Sequence, residues 1–214
     1  PDDAYGDGAI TNAALRILRE RKDDPFFLAV GYRKPHLPFV APKRYWDLYD
    51  RSAIPLPAAE EPDGAPSLAF TNWGELRAYS DMPQQGDLDA ATTRRLIHGY
   101  WACVLYVDRQ IGRLLDALGL ADDTVVILWG DHGWKLGEYG DWCKHTNFEL
   151  DTHVPMLLRV PGAKAGQVCD ALTEYVDIYP TLAEACGLPV PQHCEGTSMM
   201  PLLVNPDRPW KTAA

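Results

Sequence analysis

Two unbroken apolar runs, Phe26–Val30 (FFLAV) and Thr124–Trp129 (TVVILW), constrain this chain more than any other feature. A strand with one wet face alternates apolar and polar residues, whereas a run without alternation is dry on both sides. Such a strand needs cover above and below, and the sequence supplies helices to provide it. Residues 7–22 carry Ile10, Ala13, Ala14, Ile17 and Leu18 at helical spacing, with Arg16, Arg19 and Arg21 between them. Asp23-Asp24-Pro25 ends that helix. Residues 90–118 hold a longer apolar stripe, from Leu96, Ile97 and Tyr100 to Leu115 and Leu118, closed by Gly119. Pro155–Val160 (PMLLRV) predicts a third strand, Val168–Leu172 a fourth, and Val176–Cys186 a helix ending at Gly187. Strands alternating with helices predict an α/β fold around a mainly parallel sheet flanked by helices.

From Gly31 to Gln85 prolines crowd the chain, and regular structure is limited there to a short helix over Lys43–Tyr49. Trp46, Tyr49, Phe70, Trp73 and Tyr79 are too frequent for a disordered linker, so residues 40–85 are expected to form an ordered surface excursion. Residues 1–204 then make one partial domain, and 205–214 a linker or truncated continuation. The chain starts on Pro1 and stops at Lys211-Thr212-Ala213-Ala214 without a closing element, the pattern of a piece of a longer protein.

Composition narrows the function classes. With 20 basic against 30 acidic residues, a net charge of −10 and no basic run, the chain lacks the footprint of a nucleic-acid binder. An anionic substrate stays open, because a site can be locally positive or hold a metal. No apolar run reaches the roughly 18 residues of a membrane span. The five cysteines include no C-x-x-C pair, and only Cys186 and Cys194 are close enough in sequence for a local bridge.

In open α/β sheets ligands sit beyond the carboxyl ends of strands. After TVVILW comes Gly130-Asp131-His132-Gly133, a carboxylate and an imidazole between glycines, able to ligate a divalent ion or equally to form a capped, solvated turn. After FFLAV comes Gly31-Tyr32-Arg33-Lys34-Pro35-His36-Leu37-Pro38, where Lys34 and His36 could hold an oxyanion or simply pack. In Asp141-Trp142-Cys143-Lys144-His145, Lys144 could meet an anion or be solvated, and Cys143 is a weak candidate thiol nucleophile. Asp2-Asp3 precedes a helix, so capping is its expected role.

These segments resemble the sulfatase family, of the iduronate-2-sulfatase type and the alkaline-phosphatase superfamily. Phe26–Phe39 (FFLAVGYRKPHLPF) is similar to a family segment built on K-P-H. Tyr100–Leu118 resembles the helix before the metal strand, and Trp129–Trp142 (WGDHGWKLGEYGDW), Lys144 and Thr152-His153-Val154-Pro155 match a family run in order and spacing. Asp177-Ile178-Tyr179-Pro180-Thr181-Leu182 resembles a family helix start. The resemblance implies a calcium-dependent sulfuric ester hydrolase acting on a sulfated small molecule or saccharide. Asp131 and His132 match the calcium pair. Lys144 and His36 match residues that contact the sulfate, as catalytic and substrate-binding groups. Lys34 takes no role, and Tyr139 stands where the family usually has His.

The departure concerns the nucleophile. Sulfatases oxidise the Cys or Ser of a C/S-x-P-x-R motif to formylglycine, and no Cys or Ser of this chain stands in that pattern. The resemblance therefore places these residues after the formylglycine motif and implies an earlier segment of the same protein as partner, without which no turnover is expected. Two other readings remain at this level. One is a phosphodiesterase or phosphonate hydrolase of the same superfamily. The other is a binding module that lost the nucleophile.

Overall fold

The computed structural model describes residues 1–21, 23–119 and 122–214. Its regular elements are helices α1 (Gly6–Arg21), α2 (Lys43–Trp46), α3 (Gly74–Arg77) and α4 (Ala90–Leu118), strands β1 (Val126–Trp129), β2 (Lys135–Leu136) and β3 (Trp142–Cys143), helix α5 (Glu149–Thr152), strand β4 (Met156–Arg159), and helices α6 (Ile178–Ala185) and α7 (Met200–Val204). The chain divides into two compact units, Pro1–Leu120 with Asp131–Val154, and Ala121–Gly130 with Pro155–Ala214.

The first unit is organised on α4. Asp89 starts it by accepting the Thr92 amide at 2.7 Å, and Gly119 ends it in the left-handed region at φ 60°. Its buried face runs through Thr93, Leu96, Ile97, Gly99, Ala102, Cys103, Tyr106 and Gln110, the three-and-four spacing expected. Gly99 is required by close approach: a Cβ there would stand 2.8 Å from both Phe39 and the Trp46 ring. Helix α1 packs on α4. Its buried face is Thr11, Ala14, Leu15 and Leu18, whereas Ile10 and Ile17 point outward. The helix is as predicted, but the stripe is rotated by about one residue. Thr11 is drawn inward because its hydroxyl bonds the Asp7 carbonyl and the Tyr32 hydroxyl.

Asp2 does not act as a helix cap. Its carboxylate is buried and accepts from Tyr45 at 2.6 Å and Gln110 at 3.2 Å, and pairs with Arg44. Cys103 is buried in a cluster with Ala41, Tyr45, Ala102 and Tyr106.

The Pro-rich excursion returns to the unit through a second cluster, in which Leu37, Trp73, Leu76, Met82, Leu96, Trp142 and Cys143 pack together. Arg77 stacks 4.0 Å from the Trp73 ring centroid and donates to the carbonyls of Asn72, Pro83 and Gly86. One guanidinium thus satisfies backbone acceptors that prolines leave without regular partners. The predicted helix at 43–49 is shorter, α2, with Tyr45 buried.

Expected strands form only in part. β1 and β4 pair antiparallel, with Val126 opposite Arg159 and Trp129 opposite Met156, and β2 pairs antiparallel with β3. The parallel pairing expected between the apolar runs is not made among the described residues. Phe26–Val30 forms no ladder there, and Phe27 is 84% exposed. Val168–Leu172 likewise forms no strand, with Val168 83% exposed. An apolar run becomes a strand only where a neighbour offers backbone donors and acceptors, and no described segment does so for these two.

In the second unit, α6 follows a turn over Tyr175–Asp177 and precedes Gly187 at φ 69°. Asp177 is fully buried. It accepts the Thr197 amide at 2.7 Å and the Glu174 amide at 2.9 Å, and meets Lys211 Nζ at 2.8 Å. Burial opposes its ionisation, but Lys211 and these amides outweigh it and hold the carboxyl below its ordinary range. Cys186 and Cys194 are both free thiols, so the local bridge is not formed. No described helix is long and apolar enough to cross a membrane.

Candidate functional site

The loop after Phe26–Val30 is held by α1. Asp7, in the first turn of that helix, accepts the backbone amides of Arg33 at 2.9 Å and Lys34 at 3.0 Å. Lys34 turns its ammonium onto the carbonyls of His36 at 2.9 Å and Pro38 at 2.5 Å. Burial holds that ammonium below the ordinary lysine range. Lys34 is thus a brace for the loop, and His36 is the side chain the brace presents. Its Nδ1 lies 2.8 Å from the Leu37 carbonyl. A carbonyl only accepts, so Nδ1 carries the proton and Nε2 is the nitrogen that faces the site.

Lys144 comes from the β2–β3 hairpin, immediately after β3. The residues on either side of it, Cys143 at φ 71° and His145 at φ 81°, are both in the left-handed region. Each such non-glycine residue costs on the order of 1 kcal/mol, a strain that needs support from its surroundings. The support lies beneath. Lys135 is completely buried and bonds Asp151 at 2.6 Å and Thr146 at 2.9 Å, with Asp141 at 3.5 Å. Asp141 in turn accepts the Thr71 hydroxyl at 2.7 Å, tying the excursion to the hairpin. Gly133 permits the closest approach, since a Cβ there would meet the Leu150 carbonyl oxygen at 1.8 Å. Its amide donates to the Asp151 carbonyl at 2.8 Å.

These two supports bring His36 and Lys144 together. His36 Nε2 lies 3.0 Å from Lys144 Nζ. Glu75, on α3, meets both: its Oε1 is 2.7 Å from His36 Nε2 and 2.9 Å from Lys144 Nζ. Burial disfavours the Glu75 carboxylate, but the Lys144 hydrogen bond and the charges of Lys144, His36 and His145 prevail and hold it below the ordinary range. Trp134 is the floor of the group. Lys144 Nζ lies 4.7 Å from its ring centroid, and His36 meets it edge-on at 5.5 Å.

On the same indole, His132 lies 6.1 Å away between centroids. Its Nδ1 is 2.8 Å from the Gly133 carbonyl, so in the neutral ring Nε2 offers a lone pair, 3.5 Å from Asp131 Oδ2. The Asp131 side chain is 86% exposed, with Oδ1 accepting the His132 amide at 3.1 Å. A carboxylate oxygen beside an imidazole lone pair suits a divalent cation as part of a shell. Among the described residues no group of three or more His, Cys, Asp or Glu side chains converges to hold a metal.

Cys143 is buried under the hairpin, and burial pushes its thiol up to about 12. It is a packing residue and not a nucleophile. Glu75 and Trp134 are the site residues that residue-type reasoning passed over. Trp134 stands inside the Asp131–Lys144 motif. Glu75 lies in the irregular excursion, where only its place before the buried Leu76 marks it.

The fold is that of the alkaline-phosphatase-like class, present here as a partial α/β domain. The sulfatase family model matches residues 3–188, and the chain belongs to the sulfatase family. It is 37% identical to human (Homo sapiens) iduronate 2-sulfatase over 231 aligned positions, covering 91% of this chain and 42% of that protein. The solved phosphonate monoester hydrolase SpPMH from Silicibacter pomeroyi superposes with a TM-score of 0.82 at 28% identity, covering 98% of this chain and 44% of that one. The structure of BT4656 in complex with its substrate D-glucosamine-2-N,6-O-disulfate also superposes at 0.82, with 26% identity, over 98% of this chain and 55% of that one. The chain spans 42% of the human relative's length and 40% of a Formosa agariphila sulfatase's.

Proposed function

We propose that the intact protein is a sulfatase that hydrolyses a sulfate ester of a saccharide, and that residues 1–204 form part of its catalytic domain, with 205–214 a linker or continuation. The observation that carries this reading is the convergence of His36 and Lys144, 3.0 Å apart on the Trp134 ring. Lys144 places a positive charge and N–H donors on a sulfate oxygen, where they act most strongly as negative charge grows in the transition state. His36 presents Nε2 to the ester or leaving oxygen and, when it carries a proton at Nε2 as well as at Nδ1, gives the Nε2 proton to that oxygen. Trp134 shields both from water on one side and orients the ammonium through its ring face.

Asp131 and His132 would hold a calcium ion, which when bound neutralises charge on the sulfate oxygens. The attacking oxygen would come from a formylglycine, which no residue of this chain supplies, on an earlier segment of the same protein. Residues 1–214 alone are therefore expected to be inactive.

Human iduronate 2-sulfatase and the disulfated-glucosamine complex support a sulfated sugar. The phosphonate monoester hydrolase likeness favours a second reading, in which the same lysine and histidine serve a phosphonate monoester. The test is to incubate the intact protein with a sulfated disaccharide, an aryl sulfate and an aryl phosphonate, and to quantify released anion by ion chromatography. Sulfate release supports the first reading. Phosphonate turnover without sulfate release replaces it with the second, and no turnover of any of the three points to a binding module.

A further inference from the structure

Glu75 is placed with unusual firmness for a residue of an irregular excursion. The turn that carries it lies between buried Trp73 and buried Leu76. Thr71 ties it to Asp141 through two hydrogen bonds, and Arg77 bonds the Asn72 carbonyl before it and the Pro83 and Gly86 carbonyls after it. The Glu75 backbone is thus anchored beside the site. Its carboxylate sits on both partners at once, 2.7 Å from His36 and 2.9 Å from Lys144. Within this trio the net charge is at most one positive unit, reached only when His36 is protonated.

A fixed carboxylate at that point acts on any anion the lysine binds. Lys144 Nζ is 2.9 Å from Glu75 Oε1. An anion at hydrogen-bond distance from the same nitrogen lies within about 6 Å of that carboxylate. At this separation each negative charge on the anion is penalised, and a second charge is penalised again. In the partly buried surroundings of Glu75 the difference between one charge and two amounts to about tenfold in affinity.

We propose that Glu75 is a specificity-determining residue that tunes the His36–Lys144 pair to singly charged esters, such as sulfate monoesters, and against doubly charged phosphate monoesters. The inference rests on the anion site assigned above and deepens it. Glu75 acts through Lys144 and His36, by charge, and touches no reacting atom.

The test uses the intact protein at pH 8, where methyl sulfate carries one charge and methyl phosphate two. Calorimetry compares their affinities for the unsubstituted protein, Glu75→Gln and Glu75→Asp. Glu75→Gln should improve methyl phosphate binding about tenfold relative to methyl sulfate, and Glu75→Asp should keep the original ratio. The unsubstituted protein gives a check that needs no variant: its preference for methyl sulfate should narrow by about tenfold as pH falls to 5.5 and methyl phosphate loses its second charge. An unchanged ratio in Glu75→Gln, or a preference that does not narrow with pH, overturns the proposal. Aryl sulfate turnover is measured in parallel. Its absence sinks the sulfatase reading, while the binding ratio still decides the role of Glu75.

Discussion

His36 and Lys144 stand 108 positions apart in the chain and 3.0 Å apart in space. One arrives on a loop pinned by α1, the other on a strained hairpin propped by a buried ion pair. Their meeting has a direct consequence in the intact protein. Lys144→Ala should lower kcat/KM for a sulfate ester by about 100-fold or more, and His36→Gln by a similar factor. The double variant should lose less than the product of the two, because the residues act on one anion. Steady-state kinetics on the three variants checks this, and full additivity would separate the two residues functionally.

The cysteines should divide by burial. Cys103 and Cys143 are buried, and burial pushes both thiols up to about 12. Cys169 and Cys186 are exposed. Iodoacetamide at pH 8 should label the second pair and spare the first, with all reacting only after denaturation. Peptide mass spectrometry reads the outcome, and early labelling of Cys143 would contradict its packing role.

Lys135 should matter more for stability than for charge balance. Its ammonium is fully buried against Asp151 at 2.6 Å. Lys135→Met leaves a buried carboxylate uncompensated and should cost about 3–5 kcal/mol in denaturant unfolding. Activity of the intact variant should fall as well, because the Lys144 hairpin rests on this pair. A loss under 1 kcal/mol would mean that water reaches Asp151 readily.

The Asp177–Lys211 pair predicts acid sensitivity. The folded carboxyl is held below its ordinary range. The stability it contributes is complete above the unfolded carboxylate value near pH 4, and is lost as pH falls through the lower, folded value. Lys211→Met removes the cation and should destabilise by about 2 kcal/mol at pH 7, with a shallower loss between pH 4 and pH 2 than the unsubstituted protein shows. Thermal unfolding across that range is the measurement. Parallel pH profiles would assign the acid sensitivity to other carboxylates.

Helices were the legible part of the fold. The stripe over residues 90–118 and its Gly119 stop depend on local spacing and local backbone preference, and both appear as expected, while the Asp89 cap is added by the structure. Strands were less legible, because Phe26–Val30 and Val168–Leu172 announce apolarity but not a partner. Pairing direction was invisible for the same reason: β1 and β4 are equally apolar whether they run parallel or antiparallel. At the candidate site, the sulfatase resemblance pointed to Asp131, His132, Lys144 and His36. Nothing in the excursion's composition marked Glu75, which is one acidic residue among several until the fold carries it to Lys144.

By itself, then, the sequence determined where the two long helices lie, that the fold is of the α/β class, and which residue types recur in the pattern of sulfatases. Those are properties of near neighbours along the chain, set by periodicity, caps and short motifs. Tertiary structure alone decided that Lys34 braces a loop, that Cys143 is inert, and that a glutamate shares the lysine–histidine pair. Each of these depends on what surrounds a side chain after burial. Desolvation and opposing charge act through space, over a few ångströms, between residues that the sequence keeps far apart.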